Sequence, residues 1–223
     1  MCGRYVSPDM AAIEREFRTA PSEWKFSPSF NVAPTQLVPI VRAVDGERRL
    51  TRLRWGLIPF FAKGVPPKYS TINARIETVQ TAASYRGPWK RNRRCLVIAS
   101  GFYEWQVAPD GKTKVPFYIH TNDQEIFAFA GLWDSSRTDT GEVIESVTHI
   151  TVAANSLVAE IHNTKQRMPA MLEKTAREAW LTGTADEAWA TLTPYPDDLM
   201  VAWPVSKRVN SPKNNEPTLI EPI

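Results

Sequence analysis

The chain has 223 residues, of which 43% are hydrophobic, 23% charged and 10% aromatic, with a formal net charge of +3. Such a composition supports one buried core and excludes a disordered, collagenous or coiled-coil chain. Apolar runs such as residues 126–133 fall short of the roughly 20 residues a spanning helix needs, and no basic segment followed by an apolar one opens the chain. Cys2 and Cys95 are the two cysteines, too few for a disulfide framework and without the paired spacing of a metal site. A cytoplasmic, monomeric protein of one domain (1–223), without metal, cofactor or membrane partner, is expected.

Ser7-Pro8-Asp9 followed by Met10, Ile13 and Phe17 predicts an N-cap, a proline in the first helical position and an amphipathic helix reaching about Arg18. Residues 21–39 are rich in proline, serine and aromatics with no regular period. Residues 37–44 and 49–55 read as two strands joined by a turn at Asp45-Gly46. Residues 59–70 form a loop that carries Phe60-Phe61, and 71–75 read as a strand end. Strands follow at 95–100 and 102–107, then at 115–120 after a hairpin turn at Asp110-Gly111, and again at 126–133 and 147–153. Helical spacing returns at 156–161, 174–181 and 186–192, and the polar tail from Asn210 onward (210–223) reads as a surface extension. Strands fill the middle and helices flank them. With no βαβ alternation, no G-x-G-x-x-G and no repeat, the order predicts an α+β fold around a mainly antiparallel, barrel-like core.

The modest net charge hides an asymmetry. Residues 42–95 hold 13 Lys or Arg against Asp45, Glu47 and Glu77, a local +10 that leaves the rest of the chain at −7. A concentrated positive field attracts polyanions, so nucleic acid is one reading and a solvated basic face the other.

Cys2 is the most unusual feature. Removal of Met1 before this small residue exposes an α-amine and a thiol on one residue, with reference pKa values of about 8 and about 8.5. The amine can form a Schiff base with an aldehyde, and the thiol can then close on the imine carbon to give a thiazolidine. The plain alternative is a small hydrophobe at a frayed terminus. Arg4, two residues on, faces the same side of an extended segment, where it could hold a phosphate or depress the amine pKa. Strand alternation would likewise put Asn73, Arg75 and Glu77 on one face, an amide for a sugar oxygen and a guanidinium for phosphate, oriented by the carboxylate. Glu104 lies between Tyr103 and Trp105, surroundings that desolvate a carboxyl and fit it for proton transfer, unless the strand turns it to solvent. Of three histidines, His120 and His149 fall inside strands and read as structural, whereas His162 ends a helical pattern at a loop. Phe60-Phe61, adjacent aromatics in a loop, suit stacking on nucleobases or wedging between them.

Met1-Cys2-Gly3-Arg4-Tyr5, Asn73-Ala74-Arg75-Ile76-Glu77, Gly101-Phe102-Tyr103-Glu104-Trp105 and Ile161-His162 with Arg167-Met168-Pro169 stand in this order along the chain. So do Phe30-Asn31-Val32-Ala33-Pro34-Thr35 and Arg54-Trp55-Gly56-Leu57-Ile58-Pro59. Together they resemble the SRAP (SOS response-associated peptidase) family of abasic-site-processing proteins over essentially the whole chain. The resemblance implies a single SRAP domain, a DNA-damage role on single-stranded DNA carrying abasic sites, and a covalent thiazolidine link through Cys2 after Met1 removal. It also implies a Schiff-base lyase activity and a self-processing peptidase activity. Cys2, Asn73, Glu104 and His162 would be the catalytic residues: Asn73 contacting the opened sugar or the terminus, Glu104 moving protons, and His162 assisting ring opening, β-elimination or crosslink reversal. Arg4 and Arg75 would bind phosphates, with Phe60, Phe61 and Trp105 on the DNA. The chain departs from some members of the family, which carry a tryptophan pair where it has Phe60-Phe61 and a shorter spacing than that from His162 to Arg167. On the residues alone, an amide hydrolase with an N-terminal cysteine nucleophile and a non-catalytic single-strand binder remain alternatives.

Overall fold

The computed structural model describes residues 2–22 and 24–223. Met1, whose removal the sequence reading expects, lies outside the described residues. The strands are β1 (Arg4–Ser7), β2 (Ser29–Val32), β3 (Leu37–Val44), β4 (Glu47–Trp55), β5 (Asn73–Arg75), β6 (Arg94–Ala99), β7 (Gly101–Val107), β8 (Lys114–Thr121), β9 (Phe127–Arg137), β10 (Val143–Ala153), β11 (Arg167–Pro169), β12 (Met171–Leu172) and β13 (Met200–Pro204). The helices are α1 (Met10–Phe17), α2 (Ala83–Lys90), α3 (Ser156–Ile161), α4 (Ala176–Thr182) and α5 (Ala185–Ala190). Among the described residues, no helix is long and apolar enough to cross a membrane.

Five strands close a ring. β3 pairs with β4 and β6, β6 with β9, and β9 with β10, all antiparallel, and β10 returns to β4 in parallel. The β3–β4 hairpin follows from its turn, where Asp45 (φ 53°) and Gly46 (φ 80°) take the two left-handed positions that the strand twist demands. β5 adds to β10 in parallel, with Asn73 opposite His149. A second sheet, ordered β13-β8-β7-β1-β2, covers the ring. Trp55, Phe129 and Tyr5 meet in the core, Tyr5 edge-on to both rings at 5.2 and 6.0 Å. The α+β, barrel-like architecture expected from the sequence is therefore the fold observed.

Three local readings differ. Asp9 caps α1, its carboxylate accepting from the Ala12 amide at 3.0 Å, while Ser7 ends β1 and Pro8 stands before the cap rather than at the first helical position. Helix α2 escapes the sequence pattern because Gly87 and Pro88 interrupt it; burial of Tyr85 and Trp89, the latter packed 6.1 Å from Trp180, holds it. The tail is no loose extension. Leu219 is buried, Val205 bridges to Pro222, and Asn31 Nδ2 donates to the carbonyls of Val209, Ser211 and Asn214 at 3.2, 2.9 and 2.9 Å. A buried amide with three waiting carbonyls fixes a polar segment that composition alone assigns to solvent.

Candidate active site at the second residue

β1 lies between β2 and β7, with Arg4 opposite Tyr103 in antiparallel register. Continued by two residues, that register carries Cys2 alongside Glu104 and Trp105. Cys2 is fully buried, so the frayed-terminus reading does not describe it. Its carbonyl accepts from Asn73 Nδ2 at 3.0 Å, and its Sγ lies 3.4 Å from the Arg4 carbonyl. Asn73 is fixed in turn by β5, whose carbonyl at this residue accepts from the Tyr85 hydroxyl at 3.2 Å. Burial pushes the Cys2 thiol pKa well up, and the nearby Glu104 charge adds to that. The thiol is thus held protonated.

Glu104 points inward from β7 with 2% of its surface exposed. Burial raises its pKa to about 7, so its neutral and ionised forms are both populated near neutrality. His162, the residue closing α3, is 5% exposed and places Nε2 3.8 Å from Glu104 Oε2. Its Nδ1 lies 2.8 Å from the Arg167 carbonyl. That geometry assigns the proton to Nδ1 and turns the Nε2 lone pair toward Glu104. Burial lowers the His162 pKa, which keeps the ring neutral. The end of α3 is pinned to β7 by Asn163, whose Oδ1 accepts from the Val107 amide at 3.1 Å and whose Nδ2 donates to the Val107 carbonyl at 2.8 Å. A cleft of about 450 Å³ opens on this pair, lined among others by Trp105, Lys114, Thr164, Lys165 and Asn210.

Cys2, Asn73, Glu104 and His162 thus converge where the second sheet meets the ring, and Trp105 borders the same cleft. The Arg4 guanidinium donates to Asn31 Oδ1 at 2.9 Å and to the carbonyls of Val209 and Asn210 at 2.7 and 3.2 Å, so it fastens the tail through neutral acceptors that leave its charge uncompensated. Asn210 also accepts from Trp105 Nε1 at 2.8 Å, which sets the indole against the cleft. Glu77 does not orient Arg75. β5 ends at Arg75, and Glu77, in the turn beyond, pairs with both terminal nitrogens of Arg167, which also donates to the Thr151 carbonyl at 2.6 Å. Arg75 is exposed beside a second groove. Phe60 and Phe61 are 53% and 51% exposed, with Arg91 4.9 Å above the Phe60 ring. His120, bonded to the Ser100 carbonyl at 2.8 Å, and His149, fully buried between Trp55 and Phe129, are structural as expected.

Sequence reasoning missed Tyr85, Lys114, Lys165 and Asn210. Tyr85, Lys114 and Asn210 belong to no local pattern and reach the site through a long-range contact or a shared cleft wall, whereas Lys165 lies in the turn that follows His162.

The chain matches the family described as SOS response associated peptidase (SRAP) over residues 1–212. The abasic site processing protein YoqW of Bacillus subtilis (strain 168) is 39% identical over 227 residues that cover 99% of each chain. The abasic site processing protein HMCES of Rattus norvegicus is 28% identical over 271 residues, spanning all of this chain and 76% of that protein. Among solved structures, a protein from Bacteroides thetaiotaomicron superposes with a TM-score of 0.85 at 30% identity, covering 98% of this chain and 99% of that one.

Proposed function

Because the chain belongs to the SRAP (SOS response associated peptidase) family, we propose that it processes abasic sites in single-stranded DNA by capturing the ring-opened sugar on Cys2. The observation that carries this reading is the placement of residue 2. Asn73 holds its carbonyl, and the buried Glu104–His162 pair stands beside it at the foot of an open cleft.

With Met1 removed, the Cys2 amine attacks the aldehyde carbon. Neutral Glu104 protonates the resulting hydroxyl, which leaves as water and yields the imine. The thiol then adds to the imine carbon: a C–S bond forms, the C=N π pair becomes a nitrogen lone pair, and the proton lost by sulfur ends on that nitrogen. The product is a thiazolidine. From the same imine, ionised Glu104 or neutral His162 can take a proton from the sugar carbon next to the imine carbon and expel the 3′ phosphate, which is the lyase route. Asn73 fixes the terminus for both. Removal of Met1 by the chain itself would use Glu104 as its proton carrier, consistent with the peptidase in the family name. A thiolate-first amide hydrolase fits less well, since a fully buried thiol with a raised pKa is a poor resident nucleophile.

The test is a denaturing gel after incubation with single-stranded DNA carrying one abasic site, with intact mass establishing that the protein begins at Cys2. A heat-stable shifted band, absent in Cys2→Ala, is expected. A band that persists in Cys2→Ala would overturn the assignment.

A further inference from the structure

A site that takes a sugar from a DNA strand must also hold the neighbouring phosphates. Arg4 is already bonded to Asn31 and the tail carbonyls, and Arg167 is paired with Glu77 and bonded to Thr151. Lys165 remains. It lines the cleft of about 450 Å³ beside Glu104 and His162, and it also lines the adjoining groove of about 300 Å³ that holds Arg75, Thr78 and Arg167. No other residue is common to both walls. Among the described residues, Lys165, Lys114 and Arg75 form no ion pair within 4.0 Å.

The lysine is exposed, but its backbone is fixed. The amides of Lys165 and Gln166 both donate to the His162 carbonyl, at 3.2 and 2.9 Å, and the Gln166 carbonyl accepts from Ala154 at 3.0 Å. Gln166 adopts a left-handed φ of 49°, which turns the segment back into β11. The ammonium group is therefore tethered three residues from His162 by a closed turn, and the loss of freedom on binding an anion is confined to its own side chain.

We propose that Lys165 binds the backbone phosphate next to the abasic sugar, with Arg75 in the adjoining groove and Lys114 across the cleft continuing the track on either side. This deepens the abasic-site reading and rests on it. Lys165 also serves the chemistry through charge. Its cation favours ionised Glu104 and disfavours protonated His162; a phosphate on Lys165 offsets that cation, so strand binding favours protonated Glu104, the form that expels water from the carbinolamine. The charged or titratable groups facing this position are Glu104 from β7, Lys114 from β8, His162 at the end of α3, Arg75 from β5, and Glu77 and Arg167 across the groove.

The experiment compares Lys165→Gln, Lys165→Arg and, as a control for loss of one charge outside both cavity walls, Lys213→Gln. Binding of undamaged single-stranded DNA is followed by anisotropy across a salt series, and crosslinking of abasic DNA by denaturing gel. Each phosphate neutralised on a single strand contributes about 0.7 to the slope of log K against log salt. Lys165→Gln should lower the slope by about that amount and raise the DNA concentration for half-maximal crosslinking several-fold, with Lys165→Arg restoring both and Lys213→Gln changing neither. A slope in Lys165→Gln equal to that of the wild type or of Lys213→Gln would overturn the proposal. Failure of the wild type to form any heat-stable adduct would instead refute the abasic-site reading, while the salt series would still decide whether Lys165 holds phosphate.

Discussion

Replacement of Glu104 by glutamine separates stability from catalysis, because the burial that suits the carboxyl to proton transfer also costs the fold. Its pKa stands at about 7 against an ordinary 4.5, a preference for the neutral form of about 3 kcal/mol at about 1.4 kcal/mol per pH unit. The folded state holds the proton more tightly than the unfolded state. Stability from this group is therefore intact below pH 4.5, declines as the pH rises, and is fully lost above about 7. Glutamine keeps the shape and never ionises. Glu104→Gln should thus be more stable than the wild type by about 3 kcal/mol at pH 8, and by under about 1 kcal/mol at pH 5. For a chain of this size the pH 8 difference corresponds to a melting temperature higher by roughly 6–12 °C. Urea unfolding of both proteins at the two pH values measures it. The same substitution removes the proton donor, so crosslinking should slow by about 10²- to 10⁴-fold. A variant that is less stable at pH 8, or equally stabilised at both pH values, would refute the assignment of a burial-raised carboxyl.

Tyr85→Phe removes the donor to the Asn73 carbonyl; it should cost about 1 kcal/mol of stability by thermal melting and slow crosslinking without altering DNA affinity. Alanine at both Phe60 and Phe61 should weaken single-strand binding by about 1–3 kcal/mol per stacked base, read by anisotropy, while the melting temperature holds because both rings are half exposed. The salt slope of wild-type binding should be about −2, the value for three phosphates at about 0.7 each, and a slope near −7 would mean that the internal ion pairs of the basic stretch open on DNA.

The elements legible in the sequence are those whose signal is local. The β3–β4 hairpin announces itself through Asp45-Gly46, and α3 through Leu157, Val158 and Ile161, with Asn155 capping its start. β9 and β10 run further than their apolar runs, to Arg137 and back to Val143, because buried polar residues continue them. Ser136 and Ser146 accept from the amides of Gly64 and Ile58 at 2.9 and 2.7 Å, so these hydroxyls are satisfied by the Phe60-Phe61 loop and its approach. In the site, Cys2 and Glu104 carry chemistry in their side-chain type and near neighbours. Tyr85 and Asn210 act through a carbonyl and an indole nitrogen supplied by distant strands. No window of sequence holds that information.

The basic stretch illustrates why composition cannot by itself assign a partner. Arg42 pairs with Glu145, Arg48 with Glu178, Lys63 with Asp139, and Arg91 and Arg93 with the fully buried Asp134. Arg54 and Arg94 are taken up by backbone carbonyls, of Gly56 and of Gly183 and Thr184. The four acids in these pairs come from outside residues 42–95, so four of the local +10 charges are offset by the acidic remainder of the chain. Asp134 links the two uses of charge. It holds Arg91 and Arg93 and accepts from the Phe60 amide at 3.0 Å, so the base of the aromatic loop is set by an ion pair whose Arg91 also lies over the Phe60 ring. Removing one partner of such a buried group leaves an uncompensated charge, at a cost of about 3–5 kcal/mol. The arginines nearest the exposed phenylalanines are thereby committed to shaping the loop.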